Sequence, residues 1–195
     1  MRTSAVAAAA LALAAPLSAA AQPVSTPSGP DTYLAFHAGA YVPQHDDLKS
    51  FDPGIAFGGT FGALFTPHFG VEGEIGYWRV DAASAVNGRV WAIPALASLR
   101  LRLPLKVAEL SALAGGGIYF TTATHEILAT TVSRATATER DTAFGFHVGA
   151  AAAFNLSPTM LVGAEVRRTF VPARFAGETV RLDGLRAAVT LSYNL

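Results

Sequence analysis

The sequence predicts an all-β fold, an eight-stranded antiparallel up-and-down transmembrane β-barrel. Three observations carry that prediction. Apolar residues recur at every second position through eight segments, which is the period of a strand and not of a helix. The connections between segments alternate between short proline-containing turns and longer polar stretches. The composition is 51% hydrophobic and 14% charged, where soluble proteins carry about 25% charge. Mean hydropathy is +0.36. Beyond residue 21 there is no run of about 18 apolar residues to cross a bilayer as a helix, so the apolar excess must be carried by strands.

The N-terminus explains how such a chain reaches a membrane. Arg2 supplies a short positive region, Ala5 to Ala15 an apolar one, and Ser18-Ala19-Ala20-Ala21 the small residues a signal peptidase needs. Residues 1–21 read as a signal peptide cleaved before Gln22. Residues 22–31 contain Pro23, Pro27 and Pro30 among serine and glycine, a flexible lead-in. Residues 32–195 form the one remaining domain, the barrel. Loss of Arg2 leaves 13 basic residues (14 less one) against 14 acidic ones, so the charge balance gives no attraction for nucleic acid. The absence of cysteine excludes disulfides, thiolate metal sites and cysteine nucleophiles.

The strands follow in order. Leu34, Phe36, Ala38, Ala40 and Val42 mark the first; Ile55, Phe57, Phe61, Ala63 and Phe65 the second. Phe69, Val71, Ile75 and Tyr77 mark the third, and Trp91, Ile93, Ala95, Ala97, Leu99 and Leu101 the fourth. The fifth carries Ala108, Leu110, Ala112, Ala114, Ile118 and Phe120; the sixth Phe144, Phe146, Val148, Ala150, Ala152 and Phe154. Met160, Val162, Ala164, Val166 and Phe170 mark the seventh, and Leu185, Ala187, Val189, Leu191, Tyr193 and Leu195 the last. Thr66-Pro67-His68, Pro104-Leu105 and Ser157-Pro158-Thr159 are tight turns, where proline interrupts a strand. The stretches near 43–54, 80–88, 121–142 and 171–182 are long and polar, the pattern of periplasmic turns and extracellular loops. Helix propensity in the alanine-rich runs 107–117 and 148–154 is opposed by Gly115-Gly116-Gly117, which suits a crowded barrel interior better.

The second face of these strands decides the environment. Glu72, Glu74, Arg100, Arg102, Glu109, Glu165, Arg167 and Arg186 all fall on it, with glycine, serine and threonine. Eight charges facing hydrocarbon would cost several kcal/mol each, so the apolar face meets lipid and the charges line a lumen. Four glutamates match four arginines there. Depth along the strands predicts two clusters, Glu72, Glu74 and Glu109 with Arg100 and Arg102, and Glu165 with Arg167 and Arg186. On the lipid face, Phe57, Tyr77, Trp91, Phe120, Phe144 and Phe170 fall towards the long-loop ends, and Phe65, Phe69, Phe154 and Tyr193 towards the short turns. These are two interfacial aromatic girdles. Arg168 is the charged exception on the apolar face, near a strand end from which it can snorkel.

With these patterns over residues 32–195, the chain resembles the eight-stranded outer-membrane β-barrel superfamily, of the general OmpX, opacity-protein and OmpW type. Val189, Leu191 and Tyr193 fit the C-terminal signal read by the barrel-assembly machinery; Leu195 stands where a phenylalanine is usual. The resemblance implies the cell outer membrane, with outer-membrane lipid as surroundings and a structural or surface-interaction role.

No residues predict catalysis, a cofactor or a metal. His45-Asp46-Asp47 and His125-Glu126 are short polar groups in loops, His37 and His147 face the lumen, and His68 lies in a turn. A Ser–His–acid site acting on lipid needs a histidine and an acid on the outer face, whereas the strand histidines and acids face inward. Gly58-Gly59-Thr60-Phe61-Gly62 precedes no helix and is no phosphate loop. Tyr33, Trp78, Leu96, Leu113 and Tyr119 add bulk inside a barrel that already encloses little more than its own side chains. The expected function is a non-enzymatic barrel with a charge-paired lumen; the alternatives are a narrow channel for small or hydrophobic solutes and a lipid-modifying enzyme. Residues 121–142 are expected to offer an extracellular partner a strand edge.

Overall fold

A computed structural model of the protein describes residues 31–83, 88–128 and 134–195, and the side chains of all of these except 125–128 and 134–136. The expected signal peptide and residues 22–30 of the lead-in lie outside the described residues. The strands are β1 (Asp31–Pro43), β2 (Gly54–Thr66), β3 (Phe69–Asp81), β4 (Gly88–Pro104), β5 (Ala108–Leu128), β6 (Arg134–Asn155), β7 (Met160–Phe170), β8 (Pro172–Phe175), β9 (Glu178–Arg181) and β10 (Gly184–Asn194). Eight of them close into an antiparallel barrel in the order β1-β2-β3-β4-β5-β6-β7-β10. The last strand zips onto the first from Tyr33↔Asn194 to Pro43↔Gly184, so the ring has no open edge. β8 and β9 form a separate hairpin between β7 and β10.

Burial follows the period of two and is inverted relative to a soluble protein. In β3, Glu72, Glu74 and Trp78 are buried, while Ile75 between them is 68% exposed. Phe36, Phe61 and Phe146 are likewise exposed on the outer wall. Only a hydrocarbon solvent makes that arrangement favourable. The predicted girdle residues stand on this wall and touch one another: Phe57 lies 5.3 Å from Tyr77, and Tyr77 6.1 Å from Trp91, ring to ring. At the other rim Phe65 and Phe69 are 6.5 Å apart.

The short turns are built by side-chain oxygens. Thr66 Oγ1 accepts from the His68 N–H at 3.2 Å, and Ser157 Oγ accepts from the amides of Thr159 and Met160 at 3.3 and 3.1 Å. At the opposite end two expected loops hold more structure than their polarity indicates. Residues 121–128 and 134–142 continue β5 and β6, paired as far as Leu128↔Arg134. The alternating threonines of that stretch favour strand over loop. Residues 171–182 fold as the β8–β9 hairpin, whose two turn residues, Ala176 and Gly177, have φ of 50° and 84°. A two-residue turn that matches strand twist requires positive φ at both positions.

Two local features shape the wall. Added Cβ atoms on Gly115 and Gly117 would sit 2.0 and 2.2 Å from the carbonyl oxygens of Ala97 and Ala95, so glycine is what lets β5 coil tightly against β4. Pro94 stands in the middle of β4. It pairs with Tyr119 on one side, but the β3–β4 ladder has no pairing between Ile75↔Ala95 and Trp78↔Ala92. A proline has no N–H to give that ladder.

Candidate functional site

The lumen is filled in three layers. The lowest, towards the short turns, gathers residues from β1, β3, β4 and β5. Arg100 Nη1 donates to Glu72 and, at 3.1 Å, to the Tyr33 hydroxyl, which itself donates to Glu72. Arg100 Nη2 donates to Ser111 Oγ at 2.8 Å and lies 3.6 Å from Glu109. Arg102 Nε meets the other Glu109 oxygen at 2.5 Å. A cavity of about 40 Å³ beside this layer, bordered by Tyr33, Glu72, Arg100, Glu109, Thr190 and Asn194, has room for roughly three waters.

The middle layer centres on Glu74. Its two oxygens are ion-paired with Arg186 Nη1 at 2.5 Å and Arg167 Nη1 at 2.7 Å. The same two arginines hold Glu165 at 2.6 and 3.1 Å, and His37 Nε2 accepts from Arg186 at 2.9 Å. Arg167 is 1% exposed and Glu74 3%, so neither charge is tolerable without the other. Ser98 Oγ and His147 Nε2 are 2.8 Å apart in the buried interior. His147 Nδ1 has no partner in the structure, so no carboxylate orients the ring as hydrolytic triads require.

All eight predicted lumen charges therefore face inward and are ion-paired, but one belongs to a different group than depth suggested. Glu74 does not join Arg100 and Arg102; it crosses the lumen to β7 and β10. The register gives the reason. Across β3–β4, Arg100 stands opposite Gly70 and Glu74 opposite Leu96, so the Arg100 side chain reaches Glu72 and stops there. Arg102 lies past the end of β3, whose first residue pairs with Leu101.

The uppermost layer is apolar: Trp78, Leu96 and Tyr119 fill the lumen as expected, while the loop residues that cover them were hidden in stretches that read as polar. Tyr41 stacks on Trp78 at 4.3 Å with rings 5° from parallel. Val80, Val90 and Ala92 rise from the wall, and Leu48, Val171, Ala173 and Leu182 descend from the loops, all buried in one cluster. Phe51, Phe175 and Val180 pack against it. The signal available in the sequence was these large apolar residues within otherwise polar loops. Aspartates hold the cap down. Asp183 Oδ1 accepts from the Val171 amide at 2.9 Å, Asp47 from Arg181 at 2.8 Å and Asp141 from Arg174 at 2.6 Å. The Tyr41 hydroxyl donates to the Leu182 carbonyl at 2.5 Å.

Of the loop groups, Asp47 N–H donates to His45 Nδ1 at 3.3 Å inside a 3₁₀ turn over Asp46–Leu48. Asp46 is exposed, and its carboxyl is held below the ordinary range by a hydrogen bond from Lys49. The His125 and Glu126 side chains lie outside the described residues. Among the described residues there is no group of three or more His, Asp or Glu placed to hold a metal ion.

An apolar-walled antiparallel barrel of eight strands with a polar, charge-paired interior is an outer-membrane β-barrel protein. The chain belongs to the outer membrane protein beta-barrel domain family, whose sequence profile matches residues 6–193. The fold is shared with solved structures at low identity. Neisserial surface protein A superposes with a TM-score of 0.59 at 11% identity, over 84% of this chain and 97% of that one. Ail, the attachment invasion locus protein of Yersinia pestis, in complex with the heparin analogue sucrose octasulfate, gives 0.58 at 14%, over 86% and 99%. OprG of Pseudomonas aeruginosa gives 0.57 at 14%, over 86% and 96%. No curated protein matches the chain in sequence.

Proposed function

We propose that this is a closed, non-catalytic surface barrel that acts through its extracellular hairpins. The observation that carries the reading is the double seal of the lumen, an apolar cap above the Glu74 cluster and a second ion-paired layer below it. An interior so filled supports neither steady diffusion nor access to a buried reactive group. The long β5–β6 hairpin supplies the contrasting feature. Its pairing with β7 begins only at Phe146↔Phe170 and β8 is held against it at Asp141, which leaves residues 134–140 of β6 as a strand edge with alternating threonines. Such an edge suits strand addition by an extracellular protein. Ail, bound to a sulfated sugar analogue in its structure, illustrates a barrel of this fold engaging a ligand.

Deleting residues 124–138 and closing the hairpin with Asn-Gly keeps the Ala123↔Glu139 pair and the strands below it. Attachment of cells bearing the shortened protein to host-derived or matrix surfaces should fall to the level of cells lacking it. Equal attachment by both would remove the hairpin from the function.

A second reading, a narrow route for small hydrophobic solutes, is favoured by the missing β3–β4 pairing beside Pro94. Vesicle uptake of an apolar probe, with a Pro94→Ala variant that restores the ladder donor, separates the two. Uptake by wild type that Pro94→Ala abolishes favours the lateral route.

A further inference from the structure

From Arg168 to Arg174 the chain runs with alternate residues outward: Arg168, Phe170, Pro172 and Arg174 share the outer side, with Thr169, Val171 and Ala173 buried between them. Phe170 belongs to the girdle nearest the extracellular loops. Arg168 lies one outward position deeper than Phe170, on a wall otherwise apolar, between Val148 and Leu185. Its guanidinium turns towards the surface and rests 5.6 Å from the centre of the Phe170 ring. That is the posture of a cation reaching from the acyl region to the headgroup level.

Charge pairing separates Arg168 and Arg174 from their neighbours at the loop end. Arg79 and Arg89 share Asp81, Lys49 pairs with Asp46, and Arg181 pairs with Asp183. Arg168 and Arg174 have no carboxylate within ion-pair distance among the described residues. The Arg174 backbone is fixed by Asp141, which orients the strand while leaving its guanidinium outward and exposed. Thr179, opposite Arg174 across the hairpin, adds an exposed hydroxyl. Two guanidiniums, one on each side of an aromatic residue at the membrane interface and about 20 Å apart along extended chain, offer separate contacts to the phosphates of one headgroup.

We propose that the outer wall of β7 and β8 binds the phosphates of an outer-leaflet glycolipid, through Arg168 at one and Arg174 at another, with Phe170 against its first acyl carbons. The inference rests on the outer-membrane placement and not on the closed-lumen reading. The occupant is a lipid because Arg168 approaches the headgroup level from below, from within the acyl region. It is a phosphorylated one because, among the described residues, neither cation has a carboxylate within ion-pair distance. The outer leaflet is the side reached, since both arginines lie at the long-loop end.

The test uses the full chain refolded in phosphatidylcholine vesicles containing bis-phosphorylated lipid A, dephosphorylated lipid A or phosphatidylglycerol. Mild detergent extraction followed by native mass measurement then counts retained lipid. Wild type should retain the bis-phosphorylated form, and Arg168→Gln/Arg174→Gln should hold it on the order of thirtyfold more weakly. The corresponding Arg79→Gln/Arg89→Gln protein should match wild type. Should the double glutamine variant fail to fold, Arg174→Gln alone should show a partial loss, and Arg168→Lys/Arg174→Lys should retain lipid with steeper salt sensitivity. Equal retention by wild type and glutamine variants, or equal retention of dephosphorylated lipid A, overturns the site. Equal retention of phosphatidylglycerol overturns the glycolipid assignment, and displacement by inorganic phosphate overturns a lipid occupant.

Discussion

Glu74 on β3 and Arg167 on β7 meet at 2.7 Å across the lumen, joining strands that share no backbone ladder. With Arg186 on the other carboxylate oxygen, this one glutamate ties three strands of the barrel together. Removing one partner of a buried ion pair typically costs about 3–5 kcal/mol, because the remaining charge is stranded. Glu74→Ala is expected to lower stability by about that amount, measured as the urea midpoint in vesicles. Arg100→Ala/Arg102→Ala, which strands Glu72 and Glu109, is expected to act similarly but less strongly, since that layer borders a hydrated cavity. A midpoint unchanged in Glu74→Ala would show that the central cluster contributes nothing.

Glycines of one barrel have opposite meanings on its two faces. A methyl on Gly117 would collide with the β4 backbone, whereas a methyl on Gly73, on the outer wall, would meet nothing within 4 Å. Gly117→Ala should cost about 1–3 kcal/mol through forced strand separation. Gly73→Ala should stay within about 0.5 kcal/mol of wild type. The same midpoints decide it; equal effects would contradict the tight β4–β5 approach.

These contrasts mark what was legible in the sequence. The period of two identified strands, faces and environment, because in a bilayer every outward residue obeys one solvent. Inward orientation of Glu72, Glu74, Arg100 and the other lumen charges follows from the same alternation. Partner choice does not, since it depends on shear: a shift of β4 against β3 places Arg100 beside Gly70 and frees Glu74 for the far wall. The apolar cap was hidden for a different reason. Leu48, Val171 and Leu182 lie in stretches without periodicity, and only the closed ring brings those loops together over one opening.

The cap is expected to open independently of the barrel. Asp47 and Asp183 anchor the β8–β9 hairpin through backbone amides, and hydrogen bonds to charged groups are worth about 1.5–3 kcal/mol each. Asp47→Ala/Asp183→Ala should expose Arg174 and Arg181 to trypsin in vesicles while the strands remain protected. Resistance equal to wild type would mean that packing alone holds the cap.

The first loop should tolerate mild acid. Asp46 has its folded pKa lowered by Lys49, so its contribution is present above the unfolded value and is lost only as pH falls through the lower, folded one. Hydrogen exchange of the Lys49 amide, which donates to the Asp46 carbonyl, should keep its protection from neutral to mildly acidic pH once corrected for intrinsic rate. Loss of protection already near pH 6 would assign the ordering to another group.

The central claim is that the lumen is shut at two levels, and single-channel recording in planar bilayers tests it most directly. Wild-type protein, inserted and verified as folded by its heat-dependent gel mobility, should show no steady ionic conductance above the bare membrane. Rare brief openings should appear when Arg100 and Arg102 are both replaced by alanine. A steady, large conductance of the wild type, undiminished by closure of the cap, would contradict the plugged barrel and make the protein a channel.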